Sequence, residues 1–157
     1  MYKRQLEELR AVRRRVDVPI AADESIRLAE DPLRVRLAGA ADIAVLKVAP
    51  LGGVRAALEI AERCGLPVVV SSALETSVGI AAGVALAAAL PELPYACGLA
   101  TVSLLASDVV AKPLLPVDGA LPVRRPVPDP ALLAALAPDA ETMSRWHARV
   151  AAVKEMR

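Results

Sequence analysis

Val18-Pro19-Ile20-Ala21-Ala22-Asp23-Glu24-Ser25 and, further on, Ile43-Ala44-Val45-Leu46-Lys47-Val48-Ala49-Pro50 read as two strands, each ending in a residue that a buried strand has little reason to carry. A carboxylate leaves the first and an ammonium leaves the second. Between them, Asp31-Pro32 has the form of a helix N-cap followed by a first-turn proline, and Gly39 stands where that helix would end. In a parallel α/β architecture the carboxyl ends of neighbouring strands lie side by side, so Asp23 and Lys47 are expected at one crevice, where sites are built. The competing reading is a plain structural ion pair or a lysine that reaches for solvent.

Working outward, Lys3 to Arg15 is expected as a helix, with Leu6, Leu9 and Val12 on one side and Glu7, Glu8 and Arg10 on the other. The run Arg13-Arg14-Arg15 is read as cations at that helix's C-terminus, complementing its dipole. After Pro50-Leu51-Gly52-Gly53, a helix carries Val54, Ala57, Leu58 and Ala61 as its buried stripe and ends at Gly65. Pro67-Val68-Val69-Val70 is a third strand, ending at Ser71-Ser72. Ser77 to Leu90 is an Ala- and Gly-rich helix stopped by Pro91, in which Gly79 and Gly83 lower helix propensity by about 1 kcal/mol each and point to close approach of a neighbour. Tyr95-Ala96-Cys97-Gly98 is a fourth strand. The strand starts at residues 18, 43, 67 and 95 recur about every 25 positions, the beat of β/α repeats.

Four motifs in order carry a resemblance: Ala22-Asp23-Glu24-Ser25, Val45-Leu46-Lys47-Val48, Ser71-Ser72-Ala73-Leu74-Glu75-Thr76-Ser77, and Gly98-Leu99. Together with Leu115-Pro116-Val117-Asp118-Gly119 they resemble the back half of the o-succinylbenzoate synthase family, in the mandelate racemase and muconate lactonizing enzyme-like part of the enolase superfamily. The fold that this implies is α/β, a partial (β/α)8 TIM barrel of about four parallel β/α units over residues 1–112. A Pro-rich tail over 113–157, with terminal helices opened by Asp129-Pro130 and by Asp139 to Glu141, would return toward the family's capping region.

The resemblance also implies an activity: Mg2+-dependent loss of water from 2-succinyl-6-hydroxy-2,4-cyclohexadiene-1-carboxylate, through an enediolate, to o-succinylbenzoate in menaquinone synthesis. Sites of that superfamily pair a Lys or His base with Mg2+. By resemblance Asp23 is a metal ligand and Lys47 is catalytic, steadying the enediolate. Ser71, Ser72 and the backbone near Leu74 contact the succinyl part, and Gly98 and Leu99 contact the ring carboxylate. Serines ending a strand also cap helices and glycines also permit turns, so these positions have structural readings too.

The family's Lys-x-Lys strand and its two earlier metal-binding strand ends have no counterpart in this sequence. Neither Glu24 nor Glu75 is a convincing substitute: the first should point away from Asp23 and the second lies a turn beyond its strand. The chain is therefore expected to be inactive without a front half, as a truncated reading frame, a split-enzyme subunit or a decayed remnant. Alternatives are a noncatalytic half-barrel that self-associates through its open edges, and a related N-succinylamino acid racemase or cycloisomerase.

Length and composition agree with a partial barrel. At 157 residues the chain has room for one core but is short of the roughly 200 to 250 of a complete barrel. Hydrophobic residues make up 55% with no Phe, so the core is expected to be small and aliphatic. A net charge of +1 gives no broad electrostatic basis for a nucleic-acid or membrane partner, and it is the resemblance that implies a small carboxylate substrate. Cys64 and Cys97 have neither metal nor disulfide-framework spacing and are read as reduced packing thiols. The apolar run Val78 to Leu90 is too short to span a bilayer and the N-terminus has no leader pattern, so a cytoplasmic location is expected. Trp146 and His147 are read as a packing Trp beside a surface His, without chemistry.

Overall fold

The structure is a computed structural model describing residues 2–26, 28 and 31–155, the first three of these by backbone alone. Helix α1 (Tyr2–Arg13) leads to strand β1 (Ala21–Ala22), helix α2 (Asp31–Leu37), strand β2 (Ile43–Lys47), helix α3 (Val54–Cys64), strand β3 (Val68–Ser71) and helix α4 (Ser77–Ala89). A 3₁₀ turn at Thr101–Leu104 follows, then α5 (Pro130–Ala135) and α6 (Ala140–Glu155). The strands lie in the order β1-β2-β3, all parallel, with Ala22 opposite Ala44 and Lys47 opposite Ser71. Successive strand residues point to opposite faces, so this register sorts the sheet by parity. Ala22, Ala44, Leu46, Val68 and Val70 join the helices in the core. Ala21, Ile43, Val45, Lys47, Val69 and Ser71 therefore share the other face.

Helix and strand order agrees with the sequence reading, and the differences have local causes. The first strand shrinks to two residues. Val18 is exposed, Pro19 has no N–H, and the Ile20 amide donates to Asp42 Oδ2 at 2.9 Å instead of joining a ladder. The expected fourth strand does not form: Gly98 makes one parallel bridge with Ser71, through Gly98 N–H to Val70 O (2.9 Å) and Ser72 N–H to Gly98 O (3.0 Å). Residues 95–97 join no ladder, and Pro91 and Pro94 ahead of them have no N–H with which to extend one. The sheet thus has three strands rather than four, a parallel α/β fold consistent with part of a barrel.

Asp31, expected to cap α2 from outside, lies inside its first turn and accepts the Leu28 amide at 2.7 Å. Gly39 and Gly65 both adopt left-handed backbone (φ 59 and 61) and terminate α2 and α3, as the glycines suggested. Of the two α4 glycines, Gly83 meets a neighbour: a Cβ built there would fall 2.6 Å from Leu99 Cδ2. Gly79 instead makes room for Glu75, just ahead of its own helix. Asp129 caps α5, accepting from Ala131 and Leu132 N–H, with Pro130 in the first turn. Neither α5 nor α6 has a buried residue. Trp146 does not pack as expected, since it is 52% exposed and the Arg149 guanidinium lies over its ring, 4.7 Å from the centroid.

Arg13 does more than complement a dipole. Its Nε donates to Asp42 Oδ1 at 2.8 Å and its Nη1 to Gly39 O at 3.3 Å, tying α1 to the α2–β2 junction. The Arg13 hydrogen bond, helped by the Ile20 amide, holds the Asp42 carboxyl below the usual aspartate range. A depressed folded value means stabilisation that is complete above the unfolded aspartate value and disappears as pH falls through the folded one. Urea midpoints of the wild type should therefore drop as pH is lowered below about 4, and Asp42→Asn should flatten that drop. A part should remain, because the Thr142 amide similarly depresses Asp139 at the start of α6. An unchanged acid limb in Asp42→Asn would show that the pair does not couple to folding.

Candidate functional site

The carboxyl ends of β1, β2 and β3 form one rim. Asp23 follows β1 directly, and its parity places it on the face shared by Val45, Lys47 and Ser71. Lys47 Nζ donates to Asp23 Oδ1 in a close ion pair. The lysine side chain is 17% exposed and the aspartate side chain 42%, so the cation is the more enclosed partner. The sequence expectation that both reach one crevice is met in geometry. A concavity of about 550 Å³ opens there, lined by Asp23, Glu24, Ile26, Lys47, Pro50, Ser72 and Ala73.

The remaining candidates divide. Ser71 lies beside Lys47 by register, half-buried, with Oγ only in long contacts of 3.4 Å to the carbonyls of Ser72 and Gly98. Ser72 is buried, and its hydroxyl donates to Gly98 O at 3.0 Å and lies 2.8 Å from Thr101 Oγ1. Leu74 is 62% exposed on the rim loop. Gly98 is exposed, and a Cβ there would meet Ser71 Oγ at 2.9 Å, so only glycine leaves both backbone and serine in place. Leu99 turns the other way, into the core against Gly83. Asp23, Lys47, Ser71 and Gly98 thus converge, whereas the Leu99 side chain and the Ser72 hydroxyl are committed elsewhere.

Asp108 had no sequence signal. Asp108, 9% exposed, accepts from the Ser77 N–H (3.2 Å), the Ser77 hydroxyl and the Val109 N–H (2.8 Å) at the start of α4. Ser77 Oγ in turn accepts the Leu114 N–H at 2.6 Å. Burial lifts the Glu75 carboxyl above its usual range, the opposite sense to Asp42. Cys64 is buried and its thiol is likewise pushed up, which suits a packing role.

The expected magnesium site is not completed by this chain's own donors. Among the described residues no group of three or more His, Cys, Asp or Glu side chains could hold a metal ion. Asp23 offers one carboxylate, and Lys47 occupies one of its oxygens. Near-octahedral Mg2+ needs oxygen donors that these residues do not gather, so the set present does not fit the ion unaided.

Residues 1–129 match the family model described as "Enolase C-terminal domain-like". The o-succinylbenzoate synthase of Thermobifida fusca is 69% identical over 149 residues, covering 95% of this chain and 46% of that protein. That of Mycolicibacterium smegmatis is 63% identical over 147 residues, covering 94% and 46%. The chain therefore spans less than half the length of these relatives. Among solved structures, muconate lactonizing enzyme from Pseudomonas putida superposes with a TM-score of 0.76 at 32% identity, covering 84% of this chain and 39% of that one. The 2-chloromuconate cycloisomerase of Rhodococcus opacus gives 0.75 at 29%, covering 85% and 38%. Among the described residues no helix is long and apolar enough to cross a membrane.

Proposed function

The chain belongs to the enolase C-terminal domain-like family, and from that membership we propose that it supplies the back part of the active site of an o-succinylbenzoate synthase. The observation that carries this reading is the meeting of Asp23 and Lys47 at the carboxyl rim of a parallel sheet, in a chain so close in sequence to proteins of that name. The reaction proposed is loss of water from 2-succinyl-6-hydroxy-2,4-cyclohexadiene-1-carboxylate. A base removes the proton alpha to the carboxylate, the ring hydroxyl leaves, and o-succinylbenzoate and water result.

In this reading Lys47 is the catalytic residue of the chain. An ammonium has three donors, of which Asp23 takes one, leaving two for the oxygens of a carboxylate bound over the inner face. As the alpha proton departs, negative charge builds on those oxygens, and a fixed cation in an enclosed site stabilises that charge more than it stabilises the ground state. Asp23 orients the ammonium. Ser71 Oγ and the backbone near Leu74 lie along the same rim and would receive the succinyl arm, with Gly98 beside them. The proton-removing base, and the oxygen donors that would complete a Mg2+ site around Asp23, must come from elsewhere.

The test is reconstitution. Co-expressed with a front half carrying Lys-x-Lys and two strand-end carboxylates, the chain should dehydrate the cyclohexadiene substrate in a Mg2+-dependent, chelator-sensitive way, and alone it should not. An assembled pair that binds Mg2+ yet makes no o-succinylbenzoate would overturn the proposal. The muconate lactonizing enzyme similarity favours a second reading, racemase or cycloisomerase, which N-succinylamino acids or muconate given to the same pair would reveal. The exposed apolar side chains of α5 and α6, Leu133, Trp146 and Val150 among them, favour association with a front half or a second copy. Light scattering giving a monodisperse 16.4 kDa species would count against self-association.

A further inference from the structure

The loop after β3 is held at both ends by one later segment of chain. At its start, the Ser72 N–H and O–H both donate to Gly98 O, each at 3.0 Å. A serine hydroxyl has one proton, so with that proton on Gly98 O the 2.8 Å contact with Thr101 Oγ1 has Thr101 donating to Ser72. At its end, Ser77 is fixed by the Asp108 carboxylate and by the Leu114 amide. Between these anchors Ala73 and Leu74 stand exposed on the rim. A loop pinned at its ends and bare in its middle has one presentation rather than many, provided that the pins hold.

We propose that Thr101 is a positioning residue, which through Ser72 and Gly98 fixes Ser71 and the Ala73–Leu74 backbone at the distance from Lys47 that a bound dicarboxylate requires. This rests on the rim being the substrate site. Ser72 then acts through its internal hydrogen bonds rather than by touching substrate. Thr101 donates from the 3₁₀ turn beyond Gly98, so the bridge at the sheet edge is closed by side chains where a fourth strand's ladder is missing. Asp108 serves the far anchor, but its removal would leave buried donors unpaired, so Thr101 is the better probe.

The decisive comparison is Thr101→Val against Thr101→Ser in the full chain. Valine keeps the volume and removes the donor; serine keeps the donor. Amide exchange at residues 71–76 should quicken roughly tenfold in Thr101→Val, stay at the wild-type rate in Thr101→Ser, and leave Leu46 and Val70 unchanged. In the reconstituted pair Thr101→Val should raise KM severalfold with kcat held, and serine should restore it. Unchanged loop exchange in Thr101→Val overturns the latch. Quickened exchange with an unchanged KM overturns the positioning role. If the wild-type pair neither binds nor turns over substrate, the functional reading fails, while exchange still decides the latch.

Discussion

Replacing Lys47 by alanine should lower kcat of the reconstituted enzyme by roughly 10²- to 10³-fold, the usual effect of removing a donor aimed at developing oxyanion charge. Structure loses little by the change. Lys47 ends β2, its side chain is not in the apolar core, and Asp23, its ion-pair partner among the described residues, keeps 42% of its side chain in solvent. The melting transition should therefore move far less than the rate. Lys47→Arg would keep the charge but spread it over a planar fork, and should recover only part of the activity because the compact ammonium fits the gap beside Asp23. A kcat within a few-fold of wild type in Lys47→Ala would leave the ion pair structural and remove the catalytic assignment.

Leu46→Ala should be the most damaging core change. Leu46 is fully buried, lies on the middle strand and faces the helices, so truncation removes its burial and leaves a cavity that flanking strands cannot easily close. The expected cost is about 2–5 kcal/mol, against a total stability of about 5–15 kcal/mol for a domain. In a sheet of only three strands, that should shift the urea midpoint severely or prevent folding. Leu74→Ala, at a residue 62% exposed, should stay within about 0.5 kcal/mol. Comparable losses for the two variants would mean that Leu46 does not fill the core as its burial indicates.

The meeting of Asp23 and Lys47 was legible in the sequence. Asp23 and Lys47 are charged residues at the ends of apolar runs spaced as β/α units, and parallel pairing then leaves them little choice but a common rim. Ser71 was legible for the same reason. The hydrogen bonding of Ser72 was not: its partners Gly98 and Thr101 lie 26 and 29 positions away, and a serine at a strand end looks alike in sequence whether it faces a ligand or a backbone carbonyl. Asp108 gave no warning either, since its pairing with Ser77 spans 31 positions. The fourth strand was misread because Tyr95 to Gly98 has suitable side chains, whereas a ladder depends on available N–H groups and an aligned neighbour.

Sequence by itself determined the order of strands and helices as far as α4, the helix ends at Gly39 and Gly65, the placing of Asp23 and Lys47 at strand ends, and the family. These follow from period, backbone conformation and local chemistry, which neighbouring residues carry between them. Tertiary structure alone decided how far each strand pairs, that Arg13 binds Asp42, and that Thr101 and Asp108 hold the rim loop. Such contacts depend on which distant donors and acceptors reach hydrogen-bonding distance once the core has closed, and no local pattern encodes that meeting.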